Sequence, residues 1–314
     1  MSIPAKPISP AEIVSVIQKR RPKKSPGHDK ITNKIAKNLS KKYSVIIMIA
    51  KPNKPKHLVS SFRPISLLPT FAKLFEKLIQ HRITPIIDQH NILPKSQFGF
   101  RRKYNTIHQI HRITDKISAS FETKQYCTGA FLDISQAFDR NIKAGVPQGH
   151  YLSPILYNIF TADLPKSNQT LLASFADDTA ILTSNKFSDI ASQHLKLHLN
   201  KIESWAKNWK IKINDEKSAQ VNFSLNKREC PPLKFNNKPI PVHQSTKYLD
   251  ITLDKRLTWS NHTKQKRKQL NSRLHLLRPI LKSNLSLKNK LFLYKVIIRP
   301  VWPYAIRYSN LGPI

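Results

Sequence analysis

Residues 131–180 hold five acids (Asp133, Asp139, Asp163, Asp177 and Asp178) against three bases (Arg140, Lys143 and Lys166), inside a chain whose formal charge is +36. That contrast limits what the polypeptide can become. With 54 Lys and Arg against 18 Asp and Glu, the rest of the chain implies a polyanionic partner, because bases that neutralise phosphates release condensed counterions. Nucleic acid leads; a ribosomal or chromatin-type protein, or one held on an anionic membrane surface, would share this charge. The acidic window asks for the opposite. Bare carboxylates gathered in one stretch call for cations, since like charges brought together are costly. At 314 residues and 39% hydrophobic content the chain can bury one large core or two to three subdomains.

Cysteine chemistry is not indicated. Cys127 and Cys230 stand without a CxxC pair or a Cys/His cluster, so neither a structural zinc nor a disulfide framework is expected. No signal-type apolar segment follows Met1, and the longest apolar run, residues 45–50, is much too short to span a bilayer. An intracellular protein of cytoplasm or nucleus, without a membrane partner, is the expectation.

Hydrophobic period places the elements. Ser9-Pro10-Ala11-Glu12 combines a capping box with proline at the first helical position, ahead of Ile13, Val16 and Ile17. The basic block KRRPKK at 19–24 follows, as a solvated helix end, an import signal or a phosphate contact. A β-branched run over 43–50 fits a buried strand leaving into the basic turn Lys51-Pro52-Asn53-Lys54-Pro55. Phe71, Leu74, Phe75, Leu78 and Ile79 mark one face of a helix over 70–87, and Ile107, Ile110, Ile113 and Ile117 one face of another over 106–120. Next come a strand over 127–134, a helix over 154–160 and a hairpin over 171–182 with Asp177-Asp178 as its turn. Leu195, Leu199, Ile202, Ala206 and Trp209 recur at helical spacing, and Trp205 and Trp209 read as core. Short strands at Ile211 and Ile213, at Val221 and Phe223, and over 248–253 precede two basic helices, about 261–278 and 287–299.

Three motifs carry chemistry. Ala173-Ser174-Phe175-Ala176-Asp177-Asp178-Thr179-Ala180 puts two carboxylates at a tight turn between apolar strands, where both can approach one site. Alone, such a turn also fits a solvated surface hairpin. Phe131-Leu132-Asp133-Ile134-Ser135-Gln136-Ala137-Phe138-Asp139 ends an apolar strand in a third carboxylate. Three carboxylates suit two divalent ions that activate a hydroxyl and stabilise a leaving oxygen, the requirement of phosphoryl transfer. A nuclease would use the same metals. Gly145-Val146-Pro147-Gln148-Gly149, then Leu152-Ser153-Pro154, supplies what a nuclease does not call for: glycines that let backbone approach a ligand, followed by a helix start.

DISQAFD, GVPQG with LSP, and FADD, in this order, resemble motifs A, B and C of reverse transcriptases of non-LTR (LINE-like) retrotransposons, and of the jockey group in particular. The likeness extends through SPGHDKI at 25–31, SFRPISLLP at 61–69, QFGFR at 97–101, the KYL segment from Lys247 to Trp259, and RPVWPYA at 299–305. It implies an α+β fold: a right-hand polymerase palm and fingers, the palm an antiparallel sheet flanked by helices, with a partial helical thumb. Residues 1–42 would be a basic helical extension leading into the fingers, 43–125 the fingers, 126–225 the palm, 226–260 primer-grip-like strands and 261–314 a basic helical thumb or connection.

The resemblance further implies RNA-directed DNA polymerisation on an RNA template and DNA primer, with dNTP as substrate. Asp133, Asp177 and Asp178 would hold two Mg2+ ions, with Mn2+ as a substitute. Phe138 would exclude a ribose 2′-hydroxyl, unless it is a core Phe; Gln148 and Gly149 would lie under the nucleotide, and Arg63 and Lys51 would face its triphosphate. Lys217 would assist pyrophosphate departure, a surface lysine being the plain alternative. Arg101, Arg102, Lys264, Arg267 and Lys268 would contact nucleic acid. The chain also departs from the family. Motif A runs almost directly into motif B, a second shortening lies between Leu39 and Ser44, His150-Tyr151 puts bulk after PQG, and Asp250 stands where glycine is usual. The alternative is a catalytically inactive, basic nucleic-acid-binding remnant of such a polymerase.

Overall fold

The computed structural model describes residues 45–51, 55–58, 61–135, 149–226 and 228–301. The helix expected at Ser9, the block at 19–24, the segment 25–31, Phe138, Gln148 and residues 302–305 lie outside the described residues. In chain order the elements are β1 (Val45–Ala50), β2 (Phe62–Leu67), α1 (Thr70–Gln89), α2 (Thr106–Glu122), β3 (Tyr126–Ser135), α3 (Ser153–Phe160), β4 (Leu171–Phe175) and β5 (Asp178–Asn185). Then come α4 (Ser188–Asn208), β6 (Lys212–Phe223), the short strands β7 (Lys234–Phe235), β8 (Lys238–Pro239) and β9 (Val242–His243), β10 (Ser245–Tyr248), β11 (Ile251–Asp254), α5 (Ser260–Lys282) and α6 (Leu287–Leu293). The content is α+β, as expected. The described residues form two compact units, 45–104 with 134–164 and 105–133 with 165–301.

In the first unit β1 and β2 form an antiparallel two-stranded sheet, from Val45 opposite Leu67 to Ala50 opposite Phe62. The strand falls where the β-branched run placed it, but it is not buried. Every residue of β1 is exposed, since among the described residues no second layer covers the two-stranded ladder. Leu74 and Leu78 of α1 are buried with Phe71 packed on them, whereas Phe75, expected on the same face, is 53% exposed. Helix α3 begins at Ser153 with Pro154 in its first turn, where a missing N–H costs nothing. Its buried Asn158 donates from Nδ2 to the Gly99 carbonyl at 2.8 Å.

The second unit is built on a five-stranded sheet in the order β4-β5-β3-β6-β9. The pairs β4/β5 and β5/β3 are antiparallel, while the two-residue edge β9 joins β6 in parallel, so the sheet is not wholly antiparallel. Asn105 caps α2 by accepting the His108 N–H at 2.9 Å, and Ile110, Ile113 and Ile117 are fully buried. They share a core with Cys127, Phe131, Ala173, Leu182, Val221, Phe223, Tyr248 and Ile251, drawn from α2, four strands of the sheet and the β10/β11 hairpin. Leu195, Leu199 and Ile202 of α4 are buried as their spacing predicts, and so is Trp205. Trp209 is not: it caps the end of α4 and is 42% exposed, past the last turn that could bury it. The strands expected separately around Ile213 and Val221 are one twelve-residue strand. The last basic helix is shorter than expected as an α-helix, ending at Leu293 and running on through a π turn (Tyr294–Ile298) and a 3-10 turn (Arg299–Val301). Among the described residues no helix is long and apolar enough to cross a membrane.

One carboxylate fixes the chain between β11 and α5. Buried Asp254 accepts backbone N–H groups from Arg256 (3.2 Å), Thr258 (2.9 Å) and Trp259 (2.9 Å). Asp254→Ala leaves those donors without their acceptor and is expected to cost roughly 2–3 kcal/mol, measured as a lower urea midpoint; Asp254→Asn should retain part of it.

Candidate catalytic carboxylate site

Asp133 lies near the end of β3, the central strand, with β5 on one side and β6 on the other. In register it stands directly opposite Asp178, the first residue of β5. Opposed residues of neighbouring strands share a face with Cβ atoms roughly 4.5–5.5 Å apart, and like charges placed so are destabilising. The hairpin turn falls one residue earlier than expected. Phe175 pairs with Asp178, so the turn residues are Ala176 and Asp177. Ala176 has φ +56°, in the left-handed region where a two-residue hairpin loop favours glycine, at a cost of roughly 1–2 kcal/mol. Burial, then the charges of Asp177 and Asp133, push the Asp178 carboxyl up to about 6, with Lys247 opposing them.

Side chains distant in sequence hold this arrangement. The Asp133 N–H donates to Ser218 Oγ at 3.3 Å, and that hydroxyl donates to the Asn214 carbonyl at 2.6 Å. Lys217 Nζ is 3.5 Å from Asp133 Oδ2, so the structure brings these two expected site residues together. Tyr248 donates its hydroxyl to the Ala173 carbonyl at 3.1 Å, and Gln109 donates from Nε2 to the Ser174 carbonyl at 3.0 Å, both gripping the strand that leads into the turn. Burial, and next the charge of Asp178, raise the Tyr248 phenol far above its usual range, so it stays a neutral donor. Sequence reasoning assigned no role to Ser218, Lys247, Tyr248 or Gln109. Lys247 and Tyr248 do open the KYL segment that resembles the family; the signal at Gln109 is weak, a polar residue on the buried side of a periodic helix.

Asp250 stands where the resembled family usually has glycine. It occupies the β10/β11 turn with Leu249, at φ +66° and +47°, which is why the position favours a residue tolerant of the left-handed region. Its carboxylate is held by Lys247 at 2.6 Å and Lys266 at 3.4 Å, so the local charge is compensated.

Arg63 is exposed on β2 opposite Ile49, and Lys51 follows β1, its N–H donating to the Ser61 carbonyl at 2.7 Å, at the same end of the ladder. Gly149 has φ +101°, and a Cβ there would stand 2.5 Å from the Ser66 carbonyl oxygen, so only glycine fits against β2. Lys264, Arg267 and Lys268 are exposed on α5 at spacings of three and four, hence on one face. Arg102 is exposed, whereas Arg101 donates to the Pro94 and Gln97 carbonyls at 2.8 and 3.2 Å and stacks on Tyr104.

Among the described residues no three His, Cys, Asp or Glu side chains are drawn together tightly enough to hold a metal ion. Asp133, Asp177 and Asp178 are nevertheless close enough for the charges of the first two to raise the third. Hard oxygen donors under mutual repulsion fit divalent cations in kind.

The family model described as reverse transcriptase (RNA-dependent DNA polymerase) matches residues 49–141 and 140–253. The chain belongs to the reverse transcriptase family. The two matched pieces meet where DISQAFD runs into GVPQG. The "Probable RNA-directed DNA polymerase from transposon X-element" of Drosophila melanogaster is 33% identical over 385 positions, covering 99% of this chain and 42% of that protein. The "RNA-directed DNA polymerase from mobile element jockey" of the same species is 32% identical over 388 positions, covering 99% of this chain and 42% of that protein. The motif-based kinship to mobile-element polymerases is thereby borne out. Both alignments are longer than the 314-residue chain, so these relatives carry internal positions that it lacks. The chain spans less than half the length of the curated relatives it matches. Among solved structures, apo telomerase from Candida Tropicalis is similar with a TM-score of 0.41 and 15% identity, over 68% of this chain and 53% of that one.

Proposed function

We propose that this chain is the RNA-directed DNA polymerase part of a non-LTR retrotransposon protein, extending a primer 3′-hydroxyl with dNTP on an RNA template. The observation that carries the reading is the carboxylate set of Asp133 opposite Asp178 with Asp177 in the adjoining turn, in a chain of this family. In this reading the second unit supplies the palm, with α5 as part of a helical thumb, and β1/β2 belong to the fingers. Asp133, Asp177 and Asp178 would hold two Mg2+ ions, with Mn2+ as a substitute. When bound, such ions activate the attacking hydroxyl and stabilise the leaving oxygen. Lys217, beside Asp133, offers an ammonium proton to a departing phosphate oxygen. Arg63, Lys51 and Gly149 would bind the nucleotide together with Phe138 and Gln148, and Lys264, Arg267, Lys268 and Arg102 would grip template and primer backbone.

A second reading, a nucleic-acid-binding remnant without catalysis, is favoured by the family match breaking at residues 140–141, between the first carboxylate and the nucleotide loop. Primer extension separates the two. With an RNA template, DNA primer, dNTP and Mg2+, the first reading expects extended product that disappears on chelation. Salt-dependent binding without product in either Mg2+ or Mn2+ would sink the first and leave the second.

A further inference from the structure

Glu76 sits on α1 with its side chain 14% exposed, and each of its carboxylate oxygens has a partner 74 or 75 residues away. Oε1 accepts from His150 Nδ1 at 2.5 Å, and Oε2 accepts the Tyr151 backbone N–H at 2.8 Å. A carboxylate accepts only, so the His150 proton lies on Nδ1. Bonds this short to an ionised acceptor, largely shielded from water, are among the stronger polar contacts a fold makes. Tyr151 precedes α3 by two residues, so the grip lies just ahead of that helix. One residue before His150, Gly149 lies flat on the Ser66 carbonyl of β2. Three consecutive residues are therefore pinned to two elements of the same unit, and Asn158 ties the body of α3 to Gly99.

We infer that Glu76 is a positioning residue: it clamps the Gly149-His150-Tyr151 loop and so fixes the backbone over which the incoming nucleotide is held. The inference rests on the polymerase reading for the word nucleotide, but not for the clamp. The bulk of His150 does not intrude on the loop; its ring is one jaw of the grip. Glu76→Gln keeps an amide oxygen for the Tyr151 N–H, and Glu76→Ala keeps nothing.

Hydrogen exchange and steady-state kinetics on the full chain test it together. The Tyr151 amide should exchange about tenfold faster or more in Glu76→Ala than in the parent, with Glu76→Gln close to the parent. The KM for dNTP should rise about tenfold in Glu76→Ala while kcat moves less than about threefold, the pattern of lost ground-state binding, and Glu76→Gln should recover most of it. Unchanged exchange at Tyr151 overturns the clamp whatever the kinetics. Faster exchange with an unmoved KM in an active parent overturns the positioning role and leaves a contact of the fold alone. A parent that extends no primer overturns the function and the nucleotide clause with it, while the exchange result still decides the clamp.

Discussion

Asp178→Asn is expected to reduce Mg2+-dependent primer extension by about a thousandfold or more and, in chelator, to leave the protein more stable than the parent at pH 8. The first effect follows from the role proposed for Asp178: losing a cation ligand removes several kcal/mol of charge stabilisation from the transition state, at tenfold per 1.36 kcal/mol. The second follows from its surroundings. Burial and the charges of Asp177 and Asp133 raise its carboxyl from the usual 3.8 to about 6. Below the ordinary value both folded and unfolded chains hold the proton. Between 3.8 and about 6 the unfolded chain releases it first, so unfolding becomes progressively easier, and above about 6 the loss is complete. An amide at this position escapes that loss. The stability gap between variant and parent should therefore be open at pH 8 and closed near pH 4. The Asp178 carboxylate also reaches solvent, which keeps the gap modest. Urea titrations at pH 4, 6 and 8 beside the extension assay read both effects. A variant that is inactive but less stable at pH 8 would mean that Asp178 supports the fold, and a variant that remains active would remove it from the site.

Phe223→Ala is expected to cost the second unit about 3–5 kcal/mol, the range for deleting a buried aromatic ring. Phe223 is fully buried on β6 and meets the Phe131 ring edge to face at 6.3 Å. Its ring also lies 3.3 Å from where a Cβ on Gly129 would stand, so a side chain at Gly129 would crowd it. Phe223→Leu should cost less, because much of the volume is kept. The readout is the urea midpoint of the full chain. The effect reaches beyond stability, since Phe131 and Gly129 lie on the strand that carries Asp133 near its end. A Phe223→Ala protein that unfolds within 1 kcal/mol of the parent would show that this core does not hold the strand in place.

Much of this was legible in the sequence, for reasons that differ by element. Ile110, Ile113 and Ile117 repeat at helical spacing because one face of α2 meets the sheet, and period alone conveys that. Asp133 and the hairpin could be paired from motif order, but the register that sets Asp133 against Asp178 is a property of two strands 45 residues apart in sequence. The turn was misplaced by one residue because Ala176 takes a left-handed conformation that its side chain does not advertise. Burial of β1 was expected from its apolar run, yet burial depends on a covering layer, which composition cannot report. The Glu76 grip joins residues 74 and 75 positions apart, whose proximity follows only from where the loop before α3 meets α1. His150 and Asp250 looked like defects, and each is seated among compensating partners.

The exposed β1 strand sets a condition on handling this protein. VIIMIA contains no charge, proline or glycine, and a strand of that composition open to solvent is a template for self-association. What opposes this is the mutual repulsion of molecules that each carry +36, a colloidal force with a range of about 8–10 Å at moderate salt and far less at 1 M. High salt is the ordinary way to strip nucleic acid from a basic protein. Here it also screens the repulsion that keeps the strands of separate molecules apart, so clean preparations and monodisperse ones pull the ionic strength in opposite directions.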